Sequence, residues 1–274
     1  MSDPVLAKGR VAVVTGAASG IGLAACKRFA ALGMRVAMAD NDADELRAAE
    51  AAVTGQAAGG GGDVLAVATD VAKPADLERL RDATYDRFGE TALLMNNAAA
   101  RVAGGSREDL DEWRHTMEVN FWGVVCGVRV FLPGMIEQGT PARIVNTGSK
   151  QGITNPPGNL IYNVSKSAVK TYTEGLQHEL RNTDGCQVTA HLLIPGWTTT
   201  GKREHKPGAW LPDQVVERME AALGRGDFYI LCPDNEVTSE MDRKRILWGA
   251  GDITENRPPL SRWHVDWAEA FKKG

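Results

Sequence analysis

The sequence predicts a doubly wound α/β fold, a single domain built on a Rossmann-type parallel sheet flanked by helices. Three observations carry that reading. Short, almost continuously apolar runs recur through the first two thirds of the chain, stretches of helical spacing separate them, and the first run ends in a turn holding Gly16, Gly20 and Gly22. Strands covered on both faces have no polar side to alternate with, which is why parallel strands appear as unbroken apolar runs.

The first strand spans 10–16 (RVAVVTG), and the glycine turn leads into a helix over 20–32. A second strand, 35–40 (RVAMAD), ends on Asp40 and is followed by a helix over 42–53. The segment 55–63 (GQAAGGGGD) reads as a flexible surface loop. Strands at 64–70, 92–98, 143–148 and 188–196 then alternate with helices at 74–88, 107–138 and 158–182. Beyond Gly196 the alternation stops; a helix near 212–224 and a strand at 228–232 are predicted, and the segment after Pro233, with Trp248, Trp263 and Trp267, is left unassigned. The expected organisation is a dinucleotide-binding catalytic domain over 1–233 and a C-terminal tail over 234–274 that packs on the domain or on a partner subunit.

Composition narrows the function classes. The 274 residues are 43% hydrophobic and 24% charged with a net charge of -4, which argues against a polyanionic partner such as nucleic acid. The opening MSDPVLAKGR lacks the apolar core of a signal peptide, and no run has the uninterrupted apolar length of a membrane span, so a cytoplasmic protein with no membrane partner is expected. Cys26, Cys126, Cys186 and Cys232 lie far apart and read as reduced core residues, and the five histidines form no ligand pattern, so no metal is expected.

Glycines between a strand and a helix let the backbone approach a pyrophosphate, whose charge is favoured by the unbonded N–H groups and dipole at the helix start. A carboxylate about 20 residues further on can accept hydrogen bonds from both hydroxyls of an adenosine ribose and repels a 2'-phosphate. Asp40 holds that position, so NAD is expected rather than NADP; the alternative is that Asp40 merely caps the following helix.

Further motifs follow in order: TGAASGIG (15–22), Asp70 with Val71, NNAA (96–99), VNFWG (119–123), IVNTGSKQG (144–152), YNVSK (162–166) and PGWTTT (195–200). Together they resemble the short-chain dehydrogenase/reductase family across roughly residues 8–232. Ala99 stands where the family's NNAG carries its last glycine. The resemblance implies hydride transfer between a nicotinamide cofactor and a secondary alcohol or ketone, with Asn120, Ser149, Tyr162 and Lys166 as the catalytic set.

Elementary chemistry explains the pairing of Tyr162 and Lys166. Reducing a ketone leaves an alkoxide that needs a proton, and oxidising an alcohol needs a base. A phenol, with an ordinary pKa of about 10, is a weak base near neutrality; a lysine four residues on lies one helical turn away, and its charge favours the phenolate. By resemblance, Lys166 also holds the nicotinamide ribose, Ser149 hydrogen-bonds the substrate oxygen, and Asn120 anchors a water linking Lys166 to solvent. The resemblance further implies that Gly16, Ser19, Gly20, Ile21, Gly22, Asp40, Asp70, Val71, Asn97, Tyr162, Lys166, Pro195, Gly196 and Thr198 line the dinucleotide.

Substrate selection is expected from the loops after Ser149 and Pro195, since ligands sit beyond the carboxyl ends of such strands. Lys150 and Gln151 are candidate polar contacts. Trp197 and Trp210 bracket Lys202, Arg203, His205 and Lys206, a candidate lid for an apolar ring bearing an anionic group, or else a solvated loop whose tryptophans pack on their own helix. The resemblance implies a homo-oligomer, dimer or tetramer. The tail departs from the family's glycine-rich end, which puts four-subunit packing through that surface in question. The alternative function weighed is an NAD-binding sensor on the same fold without turnover.

Overall fold

The structure, a computed structural model, describes residues 3–57, 63–100, 104–201 and 204–273. Most of the glycine-rich loop and the pair Lys202 and Arg203 lie outside the described residues, so their anticipated roles are not addressed by the structure.

Seven strands, β1 (Val11–Thr15), β2 (Arg35–Asp40), β3 (Val64–Ala68), β4 (Leu93–Asn96), β5 (Ala142–Thr147), β6 (Val188–Ile194) and β7 (Tyr229–Leu231), pair in parallel in the order β3-β2-β1-β4-β5-β6-β7. The connecting helices are α1 (Gly20–Ala31), α2 (Ala43–Thr54), α3 (Pro74–Phe88), α4 (Leu110–Met117), α5 (Gly123–Glu137), α6 (Gln151–Thr154), α7 (Leu160–Arg181) and α8 (Pro212–Leu223).

Strand alternation divides the core in two. Ala12 and Val14 of β1 join Phe29 of α1, Leu46 of α2 and Met219 of α8, whereas Val11 and Val13 join Leu77 of α3, Phe131 of α5 and Leu180 of α7. Residues that alternate by two along a strand must face opposite sides, so a strand feeding both clusters has to be apolar throughout. Truncating a fully buried ring such as Phe29 or Phe131 to alanine costs about 3–5 kcal/mol in such packing.

Local signals set the helix ends. Pro74 occupies the first turn of α3, and Gly89, at φ 81°, closes it in the left-handed region. Asp42 caps α2, its carboxylate accepting from the N–H groups of Asp44 and Glu45.

The helix expected over 107–138 is continuous from Leu110 to Glu137 but contains a π-helical turn, Glu118–Trp122, between α4 and α5. With a mean hydropathy of 1.5 over its most apolar 18 residues, this helix is long and apolar enough by length and composition to cross a membrane, although Asn120 and Arg129 interrupt its apolar run. In the fold, Val128, Phe131 and Met135 join the core beside the sheet.

The unassigned end of the chain forms α9 (Ser239–Thr254), a 3-10 turn (Ser261–Trp263) and α10 (Ala268–Lys273). It is held by polar and aromatic contacts together. Trp248 donates its indole N–H to Ser261 Oγ at 2.7 Å, Arg257 stacks 4.3 Å from the Trp248 ring centre, and Arg257 Nε lies 3.1 Å from Asp252 Oδ1. Trp267 and Phe271 meet Trp248 edge-on.

None of the four cysteines is paired, and burial pushes the Cys232 thiol up to about 12. His191 of β6 is 4% exposed, with Nδ1 2.8 Å from the Asp227 carbonyl oxygen and Nε2 2.8 Å from Thr189 Oγ1. Burial holds its pKa below the ordinary value. The unfolded chain therefore binds a proton that the native state refuses, so this contribution is present above about pH 6.5 and is lost on acidification. The melting temperature of the parent should fall more steeply between pH 7.5 and 5.5 than that of His191→Asn, by an amount equivalent to at most about 1.4 kcal/mol per pH unit; parallel slopes would remove the assignment.

Candidate active site

A cleft of about 830 Å³ opens at the carboxyl ends of the strands. Its wall takes Gly16 from the end of β1, Asp40 from β2, Thr69 to Ala72 after β3, Asn97 to Ala100 after β4, Thr147 to Ser149 from β5, and Pro195, Gly196 and Thr198 after β6. The chain winds outward from β1 to β3 and returns to β4 on the other edge of β1. Loops there diverge, and the divergence leaves the crevice.

At one end the floor is bare backbone. A Cβ on Gly16, at φ 66°, would come within 2.8 Å of Ala98 Cα, and one on Gly22 would collide with the Gly16 carbonyl oxygen. Helix α1 starts at Gly20 with Ser19 as its N-cap residue; no side chain caps it and no acid lies in its first turn, unlike α2. A glycine cradle at a helix start free of competing carboxylates suits a pyrophosphate. Asp40 faces the same end. Its Oδ2 accepts from the Ala18 N–H at 3.0 Å and its Oδ1 from the Asp42 N–H at 3.2 Å. Each oxygen keeps a lone pair for a ribose hydroxyl, and the cap of α2 is Asp42 rather than Asp40. The residues present fit a dinucleotide.

At the other end, α7 presents Tyr162 and Lys166 to the cleft, 9% and 2% exposed. Lys166 Nζ donates to the Thr147 carbonyl at 2.8 Å and stands 5.8 Å from the centre of the Tyr162 ring. A buried ammonium is tolerated only where acceptors surround it, and here the end of β5 supplies one. Ser149 lies on the same wall, its Oγ accepting from the Gln151 N–H at 3.2 Å.

Asn120 sits fully buried in the π-helical turn behind this wall. Its Nδ2 donates to the Ala100 carbonyl and to Ser165 Oγ, both at 3.0 Å, and its Oδ1 accepts from the Ala100 N–H at 2.7 Å. Ser165 Oγ donates in turn to the Tyr162 carbonyl. Both amide protons are thus committed inside the protein. Asn120 fastens the exit of β4 to α7, and its side chain has only one oxygen lone pair left for a water.

Among the sequence candidates that do not line the cleft, Gly22 packs beneath the glycine turn, Asn120 lies behind it, and Gln151 and Trp197 turn elsewhere. The Gln151 Oε1 is buried with no hydrogen-bond partner. Trp197 is 44% exposed, with its N–H on Asp234 and its carbonyl on the Trp210 N–H, while Trp210 packs against the core. Lys150 is corrected outright: its amine turns inward against Asp234 and Asp242 and is not offered to a substrate. No tryptophan of residues 234–273 lines the cleft, nor does any residue of α9.

Asp70 and Val71 do line it, with the Asp70 carboxylate accepting from the Ala72 N–H and lying 3.2 Å from Lys73 Nζ. Asn97 is both wall and rivet, donating to the Thr15 and Gly16 carbonyls. Ser19, Gly20 and Ile21 complete that end. Among the wall residues that the sequence reading missed are His115, Val119, Thr147 and Thr200. Of these, Val119 adjoins Asn120 in its motif and Thr147 precedes Ser149, a signal that neighbours of motif residues share the wall; His115 has no comparable signal.

A family model described as short chain dehydrogenase matches residues 10–208, and the chain belongs to that family. It is 38% identical over 268 residues to a 1-deoxy-11-beta-hydroxypentalenate dehydrogenase of Streptomyces exfoliatus, covering 93% of this chain and 94% of that protein. It is 31% identical over 221 residues to an NADP-dependent (R)-specific alcohol dehydrogenase of Lentilactobacillus kefiri, covering 79% and 83%. A crystal structure of a short chain dehydrogenase/reductase from Burkholderia phymatum in complex with NAD shares the fold with a TM-score of 0.83 at 34% identity, over 92% of this chain and 96% of that one. The protein is an oxidoreductase that interconverts secondary alcohols and ketones with a nicotinamide dinucleotide, NAD or NADP.

Because a Cβ on Gly22 would run into the Gly16 carbonyl oxygen and displace the turn, Gly22→Ala should weaken binding of NADH, read by its fluorescence, at least tenfold, with the far-ultraviolet circular dichroism of the parent retained. Unchanged affinity would mean that the turn tolerates the displacement and does not cradle the phosphates.

Proposed function

We propose that the protein oxidises a secondary alcohol to its ketone with NAD, with Tyr162 as the acid–base group, Lys166 as its electrostatic partner and ribose anchor, Ser149 as the group that polarises the substrate oxygen, and Asn120 as their support. The observation that carries this reading is the meeting of Tyr162, Lys166 and Ser149 on one wall of a cleft whose opposite end is the Asp40 carboxylate. The nicotinamide, when bound, accepts the hydride. Ser149 Oγ donates a hydrogen bond to the substrate oxygen, Tyr162 Oη takes the hydroxyl proton as the carbonyl forms, and Lys166 holds a positive charge beside the phenolic ring throughout. Reduction runs the same proton back.

Support for NAD over NADP is electrostatic. Among the described residues lining the cleft the basic side chains are Lys166, at the catalytic end, and His115; next to Asp40 in sequence stand Asn41 and Asp42, and no described lysine or arginine forms the wall at that end. The similarity to a hydroxypentalenate dehydrogenase makes a hydroxylated pentalenate the first substrate to assay. A homo-oligomer is part of the same proposal, supported by apolar side chains left exposed on adjoining helices, Trp122 next to α5, Ile136 on α5 and Val164 on α7. Four unpaired thiols support cytoplasmic residence. A sensor without turnover is not favoured, since NAD binding alone has no use for a tyrosine, a lysine and a serine gathered at the far end of the cleft.

Two measurements test the reading. Tyr162→Phe should lower kcat roughly 10²–10⁴-fold, the range for loss of a general acid–base group, while leaving NADH affinity within about threefold of the parent; full turnover in the variant would overturn the assignment. Asp40→Asn should weaken NAD binding roughly 10- to 100-fold, the worth of a hydrogen bond to a charged group, and narrow the ratio of NAD to NADP efficiency; an unchanged ratio would place the discrimination elsewhere.

A further inference from the structure

Lys150 directly follows Ser149, yet its side chain leaves the cleft wall and enters a nearly dry cluster. Its Nζ lies 2.6 Å from Asp242 Oδ2 and 3.4 Å from Asp234 Oδ2, and the three side chains are 12%, 2% and 4% exposed. The Lys150 ammonium faces two anions where water is almost excluded, and the Arg245 charge also acts on Asp242. Removing one partner from such a cluster leaves a buried charge uncompensated, so its members are held together more by the cost of parting than by net attraction.

Each member belongs to a different segment. Lys150 leads into α6: its carbonyl accepts from the Ile153 and Thr154 N–H groups, and its own N–H donates to the Pro195 carbonyl at 3.2 Å. Asp234 accepts the Trp197 N–H on Oδ2 at 3.0 Å, and the N–H groups of Glu236 and Val237 on Oδ1. Asp242 stands in the first turn of α9 and is the one buried residue of that helix. Gly196 lies at the centre, where a Cβ would come within 2.6 Å of Asp234 Oδ2 and 2.9 Å of Lys150 Nζ. The loop after β5 and the loop after β6, which flank the catalytic end of the cleft, therefore share one ionic anchor with the C-terminal segment.

We propose that Lys150 is a positioning residue which, through Asp234 and Asp242, fastens residues 234–254 to the two loops of the catalytic end and so holds Ser149 against the substrate oxygen. The C-terminal segment is on this account a working part of the active site although none of it touches the cleft. The proposal rests on the reading of Ser149 as the polarising group.

The test is a double-mutant cycle in the full-length protein between Lys150→Met and Ser149→Ala, with steady-state kinetics on the best alcohol of a panel and NADH affinity by fluorescence. Lys150→Met should lower kcat at least tenfold with NADH affinity within about threefold of the parent, and should add little to the loss in Ser149→Ala, because the group it positions is already gone. Strictly multiplicative losses would show a general structural role and overturn the proposal. Lys150→Met indistinguishable from the parent, with Ser149→Ala impaired, would overturn the anchor alone; Ser149→Ala at full activity would overturn the underlying reading of the serine, and the anchor with it. Should Lys150→Met fail to bind NADH, Asp242→Asn, which keeps the side-chain volume, takes its place in the same cycle with the same expected outcomes, and Lys150→Arg should recover most of the lost kcat.

Discussion

The constraint on which the rest depends is the reversal of strand order beside β1. A parallel sheet whose chain returns to the opposite edge of its first strand must let consecutive loops part company there, and in this protein they part between Gly16 and Asn97. The gap is kept from closing or widening by polar ties across the strand ends. Thr15 Oγ1 accepts from the Asn97 and Ala98 N–H groups, Asn97 Nδ2 donates back to the carbonyls of Thr15 and Gly16, and Thr147 Oγ1 reaches Asn97 Oδ1 at 3.4 Å. The end of β5 then supplies the carbonyl that holds Lys166. The two ends of the cleft are thereby parts of one hydrogen-bonded frame.

A second tie runs behind the frame. Asn120, Ala100, Ser165 and the Tyr162 carbonyl form a chain from the exit of β4 to the helix that carries the tyrosine. The π-helical turn is what brings Asn120 to that point, since a widened turn rotates the residue relative to a regular helix, and such turns recur at functional sites.

Much of this was legible in the residues, and the reason is that the relevant physics is local. A strand covered on both faces cannot hide its apolar run, and a backbone that must approach another backbone, as at Gly16 and Gly22, has to be glycine. What escaped has equally physical causes. The π-helical turn changes the helical period for only five residues, too few for apolar spacing to reveal. Helix α9 buries a single residue, and that residue is Asp242, so a search for an apolar stripe finds none. Lys150 looks like a solvated lysine because its carboxylate partners lie in a segment that sequence periodicity does not place. Gln151 and Trp197 were attractive for their neighbours in sequence, but the turn at α6 and the backbone bonds of Trp197 to Asp234 and Trp210 direct them away from the cleft wall.

The double engagement of Asp40 has a consequence for its replacement. One carboxylate lines the cleft and also braces the glycine turn through the Ala18 N–H and the start of α2 through the Asp42 N–H. A substitution that removes this carboxylate therefore does more than change the charge at that end of the cleft, because it also takes the acceptor from the part-buried Ala18 N–H. Charge and backbone support at this position are therefore coupled: a replacement is tolerated best where it, or a neighbour, keeps an acceptor for the glycine turn.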